Sequence, residues 1–379
     1  MKDLKFDFND INIVPRTNVH INSRYTDINL PLNLPLFTAP MDTVVNLDNA
    51  EIFLNNNINV CLPRTIGFDK FKEFYDNKPK RKNSPFINKL NPFYKNLFIA
   101  VGFADLDLYY KDNFRIFYEN THLLIDIANG HMQKIVDYCK EIKRLRPDIV
   151  IMVGNIANPE TYYWYAKNDC VDYIRVGIGN GNGCLTTKQS GVGYPMASLI
   201  QEVYQKKQEF FIDNDIDKKF ENSILKTKPV KTIPAIVADG GMKDYSDVIK
   251  ALALGADYVM IGSIFNKALE SSAQNYIHGI KIGKCYAKLL FDNGLPVKKY
   301  YRGMSTKAAQ LAMGKTNLRT SEGITRFRPV EYHLNTWVDN FKHYLRNAMS
   351  YVDAKTLEDF IGKTEIICIT KNAYDRFNK

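Results

Sequence analysis

Gly177-Ile178-Gly179-Asn180-Gly181-Asn182-Gly183-Cys184-Leu185-Thr186-Thr187 follows the apolar run Asp172-Tyr173-Ile174-Arg175-Val176. The run reads as a buried strand. Glycines alternating with other residues suit neither a strand interior nor a helix. They predict a loop whose backbone takes positive φ and comes close to a ligand or ion. Cys184 stands at its end with Thr186 two residues on, a candidate nucleophile on a glycine-shaped loop. A glycine-rich turn carrying an inert buried cysteine is the plainer alternative, and the surrounding chain has to decide between them.

Apolar runs recur on both sides of this loop. They are Leu34 to Met41, Ile58 to Leu62, Leu97 to Gly102, Leu123 to Ala128, Ile149 to Asn155, Tyr173 to Gly177, Ala235 to Gly241 and Tyr258 to Ser263. Each is apolar on both faces, as parallel strands covered by helices are. Helices are expected between them. Met132 to Arg146 stops at Pro147, another helix starts at Pro159-Glu160 after Asn158, and Asp244 to Leu254 ends at Gly255. Eight strand–helix alternations between residues 34 and 263 match a (βα)8 TIM barrel, usually ~250 residues. An open doubly wound sheet competes, but it calls for a GxGxxG turn after the first strand, and none follows Met41. The whole chain, 1–379, therefore reads as one α/β barrel domain, with an active-site loop and tail over 264–379. In that tail Asn340 to Val352 is helical in pattern and Glu365 to Thr370 forms a short strand. Asp213 to Lys231 reads as an exposed insertion before strand seven.

Met41-Asp42, Asp126 with Asn129-Gly130, Asn155, the Gly177–Cys184 loop, Asp239-Gly240-Gly241 and Gly262-Ser263 all fall at strand C-terminal ends. In a barrel those ends share one face, where active sites lie. Turn chemistry accounts for the glycines and asparagines there, but less well for Asp126 and Asp239. The glycines of Gly240-Gly241 and Gly262-Ser263 suit phosphate, because backbone N–H groups in such loops cradle anions. An aspartate beside them can accept hydrogen bonds from ribose hydroxyls.

Composition narrows the class. The chain is 45% hydrophobic and 24% charged, a globular balance. It has no apolar run of membrane-span length and no signal-peptide core at its N-terminus. The six cysteines form no CxxC pair, which favours a reduced, cytoplasmic setting. The net charge of +10 is compatible with a phosphate-bearing substrate. The basic cluster Lys78 to Lys82 reads as a solvated loop, and no nucleic-acid-binding signature accompanies it. His131 reads as a surface turn residue, and no zinc or iron ligand spacing is present.

Ala39-Pro40-Met41-Asp42-Thr43-Val44, Asp126 to Gly130, Gly154-Asn155, Val176 to Thr187, Ala238 to Gly241, Tyr301 to Met304 and Ser321-Glu322-Gly323 together resemble the IMP dehydrogenase and GMP reductase family, over nearly the full chain. The resemblance implies a (βα)8 barrel, usually a homotetramer, in which a cysteine attacks C2 of a purine nucleotide and a hydride passes between that carbon and a nicotinamide cofactor. It implies Cys184 as nucleophile, with Thr186 and Glu322 moving protons. Carbonyls of Gly179, Gly181 and Cys184 would hold potassium. Asp239 would bind ribose, and Gly240, Gly241, Gly262, Ser263 and Tyr301 would surround the phosphate. Met41, Gly303, Met304, Ser305, Arg319, Ser321 and Gly323 would frame the rest of GMP or IMP. Asp126, Ile127, Ala128, Asn155, Ile178 and Gly179 would face the nicotinamide. Arg24, Arg64 and Arg319 are candidates for the cofactor's extra phosphate.

Within the family the expectation is GMP reductase, converting GMP to IMP and ammonia with NADPH. The place where dehydrogenases usually carry CBS modules holds only Asn77 to Lys95. No Arg-Tyr flap pair lies between Met304 and Glu322, and Thr186 to Pro195 is similar to the reductase pattern. Pro40, Arg175, Tyr301 to Met304 and Ala251 to Ala256 are more dehydrogenase-like, so oxidation of IMP with NAD remains open. Asn182, where the family usually has serine, and Thr187, where reductases usually have a basic residue, leave room for a non-catalytic nucleotide-binding scaffold.

Overall fold

The computed structural model describes residues 4–67, 69–70, 73, 96–111, 122–221, 232–314, 316–318, 320–321 and 323–377. Eight parallel strands form one sheet: β1 (Leu36–Thr38), β2 (Val60–Leu62), β3 (Leu97–Val101), β4 (His122–Asp126), β5 (Val150–Ile156), β6 (Tyr173–Val176), β7 (Ala235–Asp239) and β8 (Tyr258–Ile261). β1 pairs with β8, so the sheet curls round on itself. These are the eight runs expected from the sequence, and the fold is the (βα)8 TIM barrel.

The seam between β1 and β2 closes through a single parallel bridge, Phe37 to Asn59. Side chains reinforce it. The Asn59 amide donates to the carbonyls of Leu34 (3.3 Å) and Leu36 (2.9 Å), and the Thr38 hydroxyl accepts the Cys61 N–H at 2.9 Å. At such a short edge, buried backbone groups need these partners.

Aromatic rings fill the barrel's lower interior. Phe37, Phe98, Tyr173 and Tyr258 meet edge to face with centroids 5.2 to 6.0 Å apart. Tyr173 and Tyr258 are the first residues of β6 and β8, so this plug seals the N-terminal end and leaves the C-terminal mouth as the working face. Asp172 and Asp257, just before those tyrosines, each accept a neighbouring strand's N–H, from Ile151 and Ile236, at 2.7 Å. Each also pairs with a lysine of an outer helix, Lys143 at 2.8 Å and Lys207 at 2.6 Å. Helices are thus stitched to the barrel floor by charge-assisted hydrogen bonds.

The expected helices form with local caps. Asn158 accepts the Glu160 N–H at the start of Pro159–Asn168, and Asp244 accepts the Asp247 N–H at the start of Tyr245–Ala253. Gln133–Leu145 ends at Arg146, before Pro147, and Leu334–Tyr351 covers the predicted tail helix. One expectation needs correction. The helix Met196–Glu221 runs through the first part of the supposed insertion from Asp213. The stretch after Ser305 holds the helix Lys307–Ala312, capped by Thr306. Arg319, Glu322, the Lys78–Lys82 cluster, residues 77–95 and residues 222–231 lie outside the described residues. No helix among the described residues is long and apolar enough to cross a membrane.

Beyond β8 the chain builds a four-stranded antiparallel sheet from Asn275–Ile277, Ile280–Ile282, Lys298–Arg302 and Thr325–Pro329. Ile11–Ile13 pairs with Ile366–Cys368, joining the two ends of the described chain. The four-stranded sheet buries Lys299 completely, with Nζ donating to the Ser271 carbonyl at 2.8 Å. Burial lowers its pKa to about 7. The unfolded chain therefore binds this proton more tightly, and stability rises as pH climbs from about 7 towards 10.5. Lys299→Met should raise Tm most below pH 7, with the gain shrinking towards pH 10.5. Thermal melts at pH 6.5 and 10 check this, and a gain that grows with pH would refute it.

Candidate active site

The mouth is organised by one buried guanidinium. Arg175, third residue of β6, is 5% exposed. Its Nη1 donates to Asp126 Oδ1 at 2.7 Å and its Nη2 to Asp239 Oδ2 at 2.8 Å. Burial opposes its charge, but Asp239 and Asp126 outweigh burial and raise its pKa above the usual arginine value. Three strand ends are thereby cross-linked. Gly154 follows from this packing, because a Cβ there would lie 2.4 Å from Arg175 Cβ. Asn155 donates to Asp239 Oδ2 and to the Gly177 carbonyl, both at 2.8 Å. Arg64 Nε approaches Asp126 Oδ2 at 3.5 Å; the next residue, Ile127, donates its N–H to the Gly154 carbonyl at 2.9 Å and accepts the Asn155 N–H at 2.8 Å. Ala128 is exposed at this rim.

The cysteine loop rises beside this cluster. Gly179, at φ +83°, packs so tightly that a Cβ would overlap Thr187 Oγ1, itself bonded to the Val192 carbonyl at 2.8 Å. The Gly181 carbonyl accepts the Cys184 N–H at 2.9 Å. Cys184 is half-buried, and its Sγ donates to Thr186 Oγ1 at 3.1 Å. Thr186 opens the short helix Thr186–Ser190. Half-buried Ile178 lies between the two glycines of the turn.

The post-barrel sheet clamps this loop from above. Gly323 pairs with Cys184, Ile324 N–H donates to the Gly183 carbonyl at 3.2 Å, and Gly303 N–H donates to the Ile324 carbonyl at 3.0 Å. A Cβ on Gly303 would lie 2.5 Å from the Gly183 oxygen, and one on Gly183 3.0 Å from the Tyr301 hydroxyl. Tyr301 is buried under the Arg328 guanidinium, 4.6 Å from its ring centroid. Burial raises the Tyr301 pKa. Ser321 Oγ donates to the Gly323 carbonyl at 3.0 Å, and Ser305 Oγ would lie 2.9 Å from a Cβ on Gly323. Met304 is half-buried in the same turn. Arg302 pairs through Nε and Nη2 with both carboxylate oxygens of Asp42, which tethers the sheet to the end of β1.

The glycine doublets lie at the next two strand ends. Gly240 and Gly241 take φ of +90° and +94°, and a Cβ on Gly240 would lie 3.0 Å from the Gly181 amide nitrogen. Ser263 Oγ accepts from the Asn182 amide at 3.1 Å. Gly262 packs near Met41, whose Sδ would be 2.9 Å from a Cβ there. Apart from Arg24, the structure thus gathers the described residues proposed from the sequence around one mouth. Arg24 is elsewhere, bonded to Asn347 at 2.7 Å on the helix Leu334–Tyr351. Among the described residues no cluster of three or more histidine, cysteine or carboxylate side chains could hold a metal.

Two contributions escaped the sequence reading. Arg175 was noted for its identity, but nothing local showed that it bridges two carboxylates. His131, read as a surface turn residue, accepts the Ala157 N–H through Nε2 at 3.2 Å, which leaves the proton on Nδ1 to meet Thr161 Oγ1 at 2.7 Å. It ties the β4 loop to the end of β5, and burial lowers its pKa.

Comparison with known proteins agrees with this geometry. The family described as "IMP dehydrogenase / GMP reductase domain" matches residues 118–376. A GMP reductase of Buchnera aphidicola subsp. Schizaphis graminum is 25% identical over 391 aligned positions, covering 100% of this chain and 98% of its own. One from Caenorhabditis elegans is 26% identical, covering 98% and 94%. Human GMP reductase 1 is 25% identical, covering 97% and 96%. With the family match spanning most of the chain and the barrel carrying its cysteine loop at the mouth, the chain belongs to the IMP dehydrogenase / GMP reductase family of oxidoreductases.

Proposed function

We propose that this protein is a GMP reductase that deaminates GMP to IMP and ammonia with NADPH. The observation that carries the reading is Cys184 Sγ bonded to Thr186 Oγ1 at 3.1 Å, on a loop clamped by Gly323. The full-length likeness to proteins named GMP reductase supports the choice within the family.

Cys184 Sγ, having lost its proton, adds to C2 of the purine. The 2-amino group leaves as ammonia once Thr186, with Glu322 next in sequence to Gly323, delivers a proton. This leaves a thioimidate between Cys184 and C2. NADPH, when bound, supplies the hydride that reduces C2, and the Cys184 thiolate is released with IMP. One hydride and one proton are consumed per turnover. A hydroxyl within hydrogen-bond reach of the nucleophile can pass a proton without leaving the site.

The nucleotide's ribose would meet Asp239, whose carboxylate is held by Arg175 and Asn155. Its phosphate would meet Gly240, Gly241, Gly262, Ser263 and Tyr301, where Asn182 offers an amide in place of the usual serine hydroxyl. Met41, Gly303, Met304, Ser305 and Ser321 would frame the base, and Arg319 belongs to the same reading by resemblance alone. The nicotinamide would lie along Asp126, Ile127, Ala128, Asn155, Ile178 and Gly179, a polar edge whose one carboxylate is fixed by Arg175. Potassium fits the tight Gly179–Cys184 turn, because backbone carbonyl oxygens suit hard cations. Carbonyls of Gly179, Gly181 and Cys184 would hold it and brace the loop. The homotetramer is part of the same reading.

Two assays test this. Purified protein in potassium buffer should consume NADPH absorbance with GMP and form no NADH from IMP and NAD. NADH production alone would overturn the reductase in favour of the dehydrogenase, and silence in both with nucleotide bound would favour a scaffold. Cys184→Ala should abolish turnover and still bind GMP by calorimetry. Thr186→Val should lower kcat by ~10²-fold or more with KM for GMP little changed. An unchanged rate in Cys184→Ala would remove the chemical assignment altogether.

A further inference from the structure

The loop after β7 is held from behind. Asp247, in the first turn of the helix Tyr245–Ala253, is only 4% exposed. Its Oδ2 accepts the Lys243 N–H at 2.9 Å, while its own N–H is capped by Asp244 Oδ1 at 3.1 Å. One turn on, buried Lys250 Nζ donates to the Phe8 carbonyl at 3.0 Å. Phe8 in turn lies under the loop, with its Cε2 3.6 Å from a Cβ placed on Gly241. The same helix therefore grips both the end of the loop and the residue beneath it.

Asp239 fixes the loop's start through Arg175 and Asn155, and Gly240 and Gly241 pass between the two anchors at positive φ. A two-residue glycine turn has little stiffness of its own. Its shape depends on where its ends are tied.

We propose that Asp247 is a positioning residue for nucleotide phosphate, anchoring Lys243 so that Gly240 and Gly241 keep the turn that receives it. The inference rests on the reading that this loop takes the phosphate of GMP. Asp247 makes no contact with the ligand and acts through the main chain. The carboxyl's surroundings agree with a role in holding rather than in binding. Burial, first, and Asp244, second, push its pKa up to about 6, against the Lys243 N–H, Lys250 and Lys243. Burial, then the charges of Asp247 and Asp244, raise the pKa of Tyr374 in the helix Lys371–Phe377.

The test compares GMP with guanosine, which differ only in the phosphate. Binding by calorimetry and steady-state kinetics are measured for wild type, Asp247→Ala and Asp247→Asn. Wild type should prefer GMP. Asp247→Ala should weaken GMP by ~10-fold, leave guanosine unchanged and keep kcat within about twofold, since a misplaced loop costs affinity for the group it holds. Asp247→Asn keeps an acceptor for Lys243 and should bind GMP as wild type does. Asp247→Leu, of similar size and without an acceptor, replaces alanine if a cavity prevents folding. Equal loss of GMP and guanosine, or unchanged GMP binding in both Asp247→Ala and Asp247→Leu, would overturn the inference alone. A wild type that binds GMP no better than guanosine would overturn the phosphate reading of the loop and the inference with it.

Discussion

The arrangement depends on the Arg175 guanidinium held between Asp126 and Asp239. A buried cation is tolerated only when paired and hydrogen-bonded, and removal of one partner of such a pair costs about 3–5 kcal/mol. Here one arginine on β6 answers carboxylates on β4 and β7. The two acids sit on opposite flanks of the cysteine loop, one towards the nicotinamide side of the proposed reaction and one towards the ribose. Their spacing is set by a planar group of fixed geometry, which orients both at once.

The rest of the mouth is built outward from that bridge. Asn155 transfers the position of Asp239 to the Gly177 carbonyl, where the cysteine loop begins. Glycines then let chain segments touch without side chains between them: Gly240 against Gly181, Gly303 against Gly183, Gly323 against Ser305. Below, the aromatic plug of Phe37, Phe98, Tyr173 and Tyr258 closes the other end. The clamped loop holds the Cys184 thiol and the Thr186 hydroxyl 3.1 Å apart, the separation at which the proposed reaction would have both act on one carbon.

The four-stranded sheet beyond the barrel has two tasks that pull on the same strand. Lys298–Arg302 carries buried Lys299 into the sheet's interior and Tyr301 to the cysteine loop. Arg302 anchors it to Asp42. The sheet therefore joins the first strand end through a side-chain pair and the loop after the sixth through backbone hydrogen bonds, outside the barrel ladder. A buried lysine in such a strand works against stability at neutral pH. Its bond to the Ser271 carbonyl shows how the fold accommodates it.

By itself the sequence determined the barrel and the location of its working face. Runs apolar on both faces, alternating with helical stretches, suit a helix-covered parallel sheet, so strands, helices and their order were legible. Caps such as Asn158 and Asp244 were legible too, because they act within a few residues. Asp126, Asp239, Cys184 and the glycine doublets declared themselves as polar or flexible residues where apolar strands stop. The tertiary structure alone decided who meets whom. Arg175 is 49 residues from Asp126 and 64 from Asp239, and the parallel pairing of β4 through β7 brings those strand ends together. The post-barrel sheet was not legible because Ile280–Ile282 and Thr325–Pro329 are short and largely exposed, while Lys298–Arg302 alternates in burial but puts a lysine at one of its buried positions. The pairing of Ile11–Ile13 with Ile366–Cys368 was hidden because its two strands lie at opposite ends of the described chain. Local pattern records which residues avoid water, whereas partners distant in sequence are chosen by the geometry of the closed fold.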